Sequence, residues 1–437
     1  MKKLLGILVL GLLWCNISFA QDYRIKNFIK WLYENGHNQY VEKDSDGKLQ
    51  TNLKLKLNPR KRNIDSGSNP NRDTLLYYVW DFTYGLRNSY EVKPSKEPYE
   101  FKFNLIEDKF VKKQMKTKGI LSYLYYQDGE VLIDEFSPKE RLGEFLNNET
   151  KFFSMSMGKS VTSYILGHAI CEGYIDGVDA RVNDWPIIKD SLYHDQKLID
   201  FLNMSTGDQK YIDEFKFYEG TTKLTNYQDN SISQTMSVAL KGSVKSKSIY
   251  NYNGFVTQLI INYTKHKTGD DYEKLLNKIF ADKVKIKYSI LPLRNSGTGQ
   301  GKLSPTISAT RYDWLRIAKA VMDDYQNETC VGKYLKEIHK RRIPKKLTEK
   351  RNEPAFNRTK SYGGQFHMDF PGLKNKIIFG MGGYGGNMIL IDVENSRILV
   401  VNSLHYNNKK YKYNHKKLLH DPFKNGKQIN WKNFSYQ

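Results

Sequence analysis

The chain has 437 residues, 69 Lys and Arg against 47 Asp and Glu, and a formal net charge of +22. With 39% hydrophobic and 13% aromatic residues it holds enough apolar matter for a sizeable core, which excludes global disorder, and its 12 prolines exclude a collagen-like or Pro-rich chain. At about 100–200 residues per domain, the length suits two or three domains or one large domain with insertions.

Lys2 and Lys3 precede an apolar run over residues 4–14, and Ser18 and Ala20 put small residues at the cleavage positions before Gln21. Residues 1–20 therefore read as a secretory signal peptide, and the mature protein is expected to be periplasmic or secreted. The rival reading, a lipoprotein anchored at Cys15, suffers from Trp14 standing where a small residue is wanted. No later stretch reaches 18 consecutive apolar residues. Past residue 20 only Cys171 and Cys330 remain, too few for a disulfide framework. Cys171 lies in an apolar helical run, so a buried free thiol is expected and a pair is left open. The nine His are scattered and no CxxC, HExxH or EF-hand spacing occurs, so no metal and no cofactor is expected. Basic clusters at Arg60-Lys61-Arg62, Arg341-Arg342, Lys345-Lys346 and Lys416-Lys417 sit in polar, loop-like sequence. They read as solvated surface, with weak attraction to anionic envelope polymers or lipid headgroups as the functional alternative and no nucleic-acid partner.

Residues 21–115 read as an N-terminal extension, with a short helical stretch over 28–33 and no evident chemistry. The character changes at Gly119, so one large domain is expected over 116–437. Runs at 120–126 and 131–136 flank Asp128-Gly129, a strong hairpin signal. The pattern then predicts helices over 157–172, over 255–267 closed by Gly269, and within 305–324. Strands follow over 376–380, 386–393 and 397–402. With β elements at both ends of this region and helices between, the expected fold is α+β in three layers. An antiparallel sheet built from both chain ends is flanked by helices and interrupted by a mainly helical subdomain.

The chemistry centres on Ser156-Met157-Gly158-Lys159. If a helix starts at Ser156, Lys159 lies on the same face one turn on. The hydroxyl then sits at the positive end of the helix dipole, beside an ammonium group that stabilises the alkoxide, and the Ser156 N–H is an unpaired donor able to face an oxyanion. The same spacing at Ser45 and Lys48 falls in a polar loop with no helix after it and is accidental.

This stretch resembles the first motif of the serine β-lactamase-like superfamily, in its class C β-lactamase, esterase and 6-aminohexanoate-dimer hydrolase branch. Gly173-Tyr174-Ile175-Asp176 with Val182-Asn183-Asp184-Trp185-Pro186, then Leu198 to Gly207, then Leu303 to Trp314 are similar to further family stretches, in family order. The second motif of that branch, Tyr-x-Asn or Tyr-x-Ser before a helix, is matched by Tyr252-Asn253-Gly254. The resemblance implies that the Tyr252 phenol is general base toward Ser156, with Tyr250 the alternative if the register differs. Gly254 departs from the motif, and Asn253 is expected to compensate at the substrate. The third motif, Lys-Thr-Gly or His-x-Gly on a late strand, is matched in position by Gly380-Met381-Gly382-Gly383-Tyr384. By analogy the Tyr384 backbone N–H is the second oxyanion donor, and Gly383 lets the strand approach the substrate. Met381 replaces the usual Lys or His, which counts against β-lactam or D-Ala-D-Ala recognition. The literal Lys267-Thr268-Gly269 closes a helix and is a decoy, and Gly297 to Lys302 is a loop. The resemblance implies an exported serine hydrolase acting on a small-molecule or peptide-like ester or amide through an acyl-enzyme. A non-catalytic sensor on the same fold, or a β-lactamase or D,D-peptidase, is the alternative.

Overall fold

The computed structural model describes residues 25–53, 80, 90–212, 232–294, 303–345, 359–373, 376–404 and 411–425. The signal-peptide segment with Cys15, the Arg60–Arg62 cluster and the 297–302 loop lie outside the described residues. The chain divides into two compact units, Met1–Leu86 and Arg87–Gln437. This division comes earlier than the 115/116 boundary expected from the sequence.

In the first unit, residues 25–34 are helical and bury Phe28 and Leu32. The Phe28 ring lies 5.3 Å from that of the buried Trp80. Val41–Lys43 pairs antiparallel with Leu49–Thr51 in a small ribbon.

The second unit is α+β. Its main strands, in chain order, are β1 (Lys102–Phe103), β2 (Ile120–Gln127), β3 (Glu130–Phe136), β4 (Lys151–Phe153), β5 (Leu291–Arg294) and β6 (Leu303–Thr310). They continue with β7 (Ile343–Pro344), β8 (Ser361–Gly363), β9 (Phe366–Met368), β10 (Ile378–Gly383), β11 (Asn387–Asp392) and β12 (Arg397–Ser403). The helices that matter below are α1 (Lys109–Thr117), α2 (Met157–Cys171), α3 (Leu198–Leu202), α4 (Gly254–Thr268), α5 (Arg311–Gln326) and α6 (Cys330–Lys340).

The large sheet has the order β7-β8-β9-β10-β11-β12-β2-β3-β1, and a small sheet has β4-β6-β5. The hairpin β2–β3 turns at Asp128 and Gly129, both at positive φ (48° and 98°), as the sequence predicts. β12 pairs antiparallel with β2, with Leu399 opposite Tyr125, so the late strands close onto the early hairpin. β1 adds to β3 in parallel, with Phe103 opposite Val131, so residues 102–103 belong to the sheet.

Side-chain alternation makes the three layers. Tyr123, Tyr125, Met388, Leu390, Leu399 and Val401 meet Val111 and Met115 of α1 and Leu418, Leu419 and Phe423 from the C-terminal segment. The opposite positions Leu124, Tyr126, Ile389, Ile391, Ile398 and Val400 are equally buried, on the side covered by α5. Both faces are dry, which explains the near-continuous apolar runs of these strands.

Cys171, at the end of α2, is bonded to Cys330, at the start of α6, with Cα atoms 5.8 Å apart. This corrects the expectation of a buried free thiol. The apolar run around Cys171 buries its neighbours Leu166 and Ala169, whereas Cys171 itself reaches the rim of the helix pair and Cys330 is exposed.

Candidate active site

Ser156 occupies the N-cap of α2. The chain arrives through β4, which pairs antiparallel with β6, Phe153 opposite Ser308. Ser154 fixes the turn: its N–H donates to the Ile307 carbonyl (2.8 Å) and its Oγ accepts from the Ile307 N–H (3.0 Å) and donates to the Met155 carbonyl (3.0 Å). Met155 then takes φ 49°, a conformation sparsely populated by non-glycine residues. This turn swings the chain from strand into helix and leaves Ser156 half-buried at the tip. The Ser156 N–H has no acceptor among the described residues. It is one of the unpaired donors at a helix start.

Lys159 donates from Nζ to Ser156 Oγ at 3.0 Å, and its side chain is buried. The ammonium therefore acts on the hydroxyl with little screening by water, and adds to the helix dipole. The same Nζ lies over the Tyr252 ring, 5.0 Å from its centroid. Of the two tyrosines left open by sequence, Tyr252 contacts this lysine. The Tyr250 ring packs on Tyr362 at 5.2 Å and under Lys345 Nζ at 5.7 Å. Tyr252 also packs against Tyr362 and His367, each with centroids 6.0 Å away. Burial, with Lys345 and then Lys159 nearby, holds the His367 imidazole well below its usual pKa. Lys345 Nζ lies 2.8 Å from its Nδ1 and donates to it.

The third wall is the end of β10. A Cβ on Gly383 would fall 2.6 Å from the Ser154 carbonyl oxygen and 3.2 Å from the Met155 Cβ. Only glycine lets the strand lie this close to the nucleophile turn. Tyr384 follows, 41% exposed, and its carbonyl accepts from Asn387 Nδ2 at 2.9 Å. Met381 is fully buried.

Asn253, the residue expected at the substrate, stands at the start of α4. It is buried and caps α4, its Oδ1 accepting from the Val256 N–H at 2.9 Å while Nδ2 donates to the Asn251 carbonyl and to Asp208 Oδ2. Its polar atoms are engaged in holding the helix start. The decoy Lys267-Thr268-Gly269 does end α4; Gly269 has φ 53° and Lys267 pairs with Asp184 at 2.6 Å.

Two residues unmarked by the sequence organise the site. Asp208 accepts from Tyr193 Oη, Asn251 Nδ2 and Asn253 Nδ2, tying the 250–253 segment to the loop after α3. Burial raises its carboxyl pKa against these donors. Gln365, at φ 67°, takes the Ser160 hydroxyl of α2 on its carbonyl (2.7 Å) and the Thr257 hydroxyl of α4 on Oε1 (2.8 Å). Its Nε2 donates to Phe201 and Leu202 carbonyls of α3. One residue, through its carbonyl and its side chain, thus links three helices. Nothing in the local sequence around Gln365 announces it, because each partner is more than 100 residues away.

Among the described residues no cluster of His, Cys, Asp or Glu has metal-binding geometry. No helix among them is long and apolar enough to cross a membrane.

No family model matches this sequence, and neither does any curated protein. The fold, however, is shared with solved structures. A Bacillus anthracis protein named as a 6-aminohexanoate-dimer hydrolase superposes with a TM-score of 0.56 at 14% identity, over 80% of this chain and 94% of that one. Staphylococcus aureus FmtA gives 0.48 at 15% identity, over 77% and 95%. A Bacteroides dorei protein named as a β-lactamase gives 0.48 at 12%, over 67% and 88%. The first of these superpositions shows that this chain shares the α+β fold of that Bacillus anthracis structure.

Proposed function

We propose that the protein is an exported serine hydrolase that cleaves an ester or amide bond through an acyl-enzyme on Ser156. The observation that carries this reading is the 3.0 Å contact between the buried Lys159 ammonium and a serine oxygen at a helix N-terminus. A packing or capping serine has no need of a buried cation at that distance.

In the proposed cycle Ser156 Oγ attacks the substrate carbonyl carbon. Its proton passes to the Tyr252 phenolate oxygen, the anionic form that Lys159 favours, giving the neutral phenol. The oxyanion that forms is held by the backbone N–H groups of Ser156 and Tyr384. Collapse of the tetrahedral adduct expels the alcohol or amine, which takes the proton back from Tyr252. Water then attacks the acyl-enzyme by the same steps and releases the acid. Met381, apolar and buried where the superfamily motif has Lys or His, favours a neutral acyl substrate over a β-lactam carboxylate. Export is supported by the residue 1–20 pattern and by the Cys171–Cys330 bond, which suits an oxidising compartment.

The test is labelling of the whole protein with a fluorophosphonate probe, with mass detection, beside turnover of short-chain aryl esters. Modification at Ser156, and its loss with turnover in Ser156→Ala, is expected. Undiminished ester hydrolysis by Ser156→Ala would refute the assignment.

A further inference from the structure

One edge of the large sheet, unpaired with any further strand among the described residues, carries an unusual surface. β1 ends the strand order, and the chain beyond it keeps pairing with β3 through Asn104 N–H to Val131 O and Ile106 N–H to Leu132 O. This pins the backbone, yet Phe103, Leu105 and Ile106 are 50%, 59% and 56% exposed. Three large apolar side chains within four residues form a projecting ridge rather than scattered surface residues. Phe103 alone has a ring neighbour, Tyr312, at 6.1 Å.

The ridge runs directly into α1, whose inner face buries Val111, Gln114 and Met115. Its outer face presents Lys109, Lys113 and Lys116 at helical spacing, and with Lys112 and Glu107 they line one shallow recess. None of these three lysines forms an ion pair among the described residues. Three carboxylates near this face are engaged: Glu107 pairs with Lys112 at 3.3 Å, Asp108 caps α1 through the Phe110 and Val111 N–H groups, and Glu130 accepts from Asn104. Lys417 adds a further cation over the Phe110 ring at 4.9 Å.

We propose that the 103–106 ridge and the lysine face of α1 form a docking surface for an anionic lipid bilayer. The apolar side chains enter the headgroup–acyl boundary and the lysines meet anionic headgroups, the division of labour that interfacial binding requires. A soluble polyanion accounts for the lysines and leaves the ridge without a role. A second copy of the chain accounts for the ridge but places like charges together. The inference stands apart from the hydrolase reading, because no residue in it touches the Ser156 site.

The experiment is co-sedimentation of the full chain with vesicles of phosphatidylcholine alone and with about one third phosphatidylglycerol, set beside heparin retention and sedimentation velocity. Wild type is expected on the anionic vesicles only. Leu105→Ser with Ile106→Ser is expected to weaken that binding roughly tenfold with heparin retention unchanged, and Lys113→Glu with Lys116→Glu to lose both. Leu105→Trp, which needs no tolerance of lost apolar surface, is expected to bind vesicles more tightly. Absence of wild type from anionic vesicles would overturn the proposal. So would Ser variants that bind vesicles like wild type, which would mark a polyanion site, or a dimer that the Ser variants dissociate while vesicle binding persists.

Discussion

Gly158 stands against the Pro305 carbonyl so closely that a Cβ would fall 1.8 Å from that oxygen. The first turn of α2 therefore lies directly on β6, and the position of Ser156 follows from that contact. Gly158→Ala must push helix and strand apart. The expected cost is about 1–3 kcal/mol, the range for overpacking, with a loss of fluorophosphonate labelling greater than the loss of fold. Thermal unfolding read beside labelling rate at 25 °C checks both.

Lys159→Met keeps much of the side-chain volume and removes the charge. Turnover of an aryl ester is expected to fall about 10²–10⁴-fold, the range for loss of proton-transfer assistance, with the unfolding midpoint near wild type. Activity within a factor of two of wild type would remove Lys159 from the chemistry.

Asp208 acts at a distance from the carbonyl under attack. Asp208→Ala leaves Tyr193, Asn251 and Asn253 donors buried without their acceptor. A loss of about 1–3 kcal/mol is expected for the orphaned groups, together with slower turnover as the Tyr252 segment loses its anchor. If Tyr252 is set by α4 alone, stability drops and kcat does not.

The Cys171–Cys330 bond closes a sequence separation of 159 residues. Reduction, or Cys171→Ser with Cys330→Ser, is expected to lower stability by about 2–4 kcal/mol. Turnover at 25 °C should persist, because the bond clamps the end of α2 opposite Ser156. Denaturant unfolding with and without reductant measures the difference.

His339 gives a pH prediction. Burial, then the neighbouring Arg342 charge, lowers its pKa from 6.5 to about 3. Below pH 6.5 the unfolded chain takes up a proton that the native imidazole refuses. Stability supplied above pH 6.5 is therefore lost as pH falls toward 3, at up to about 1.4 kcal/mol per pH unit. His339→Gln removes that proton uptake, so its stability should fall less steeply between pH 6 and 4. Parallel slopes for the two proteins would contradict the assignment.

Much of this site is local information. Ser156 and Lys159 are one turn apart, and a helix start is written in the residues that follow them. The β2–β3 hairpin is announced by Asp128-Gly129, and the late strands by continuous apolar runs. What escaped the sequence depends on tertiary placement. The disulfide joins positions too distant for spacing to pair. The two-residue strand β1 has no periodicity to detect, so residues 87–115 did not read as part of the larger unit. Gln365 works only because three helices converge on it. The cap that Asn253 makes at α4 also went unread, because the resemblance placed that residue at the substrate.

The pairing of β12 with β2 also bears on how the chain matures. The central strand ladder joins residues near 120 to residues near 400, so it cannot zip until almost the whole polypeptide is available. Such long-range pairing is slow to nucleate. During synthesis from N- to C-terminus, residues 157–171 are made before β6 and β10, the strands that frame Ser156. The large sheet is therefore completed only when residues near 400 are in place.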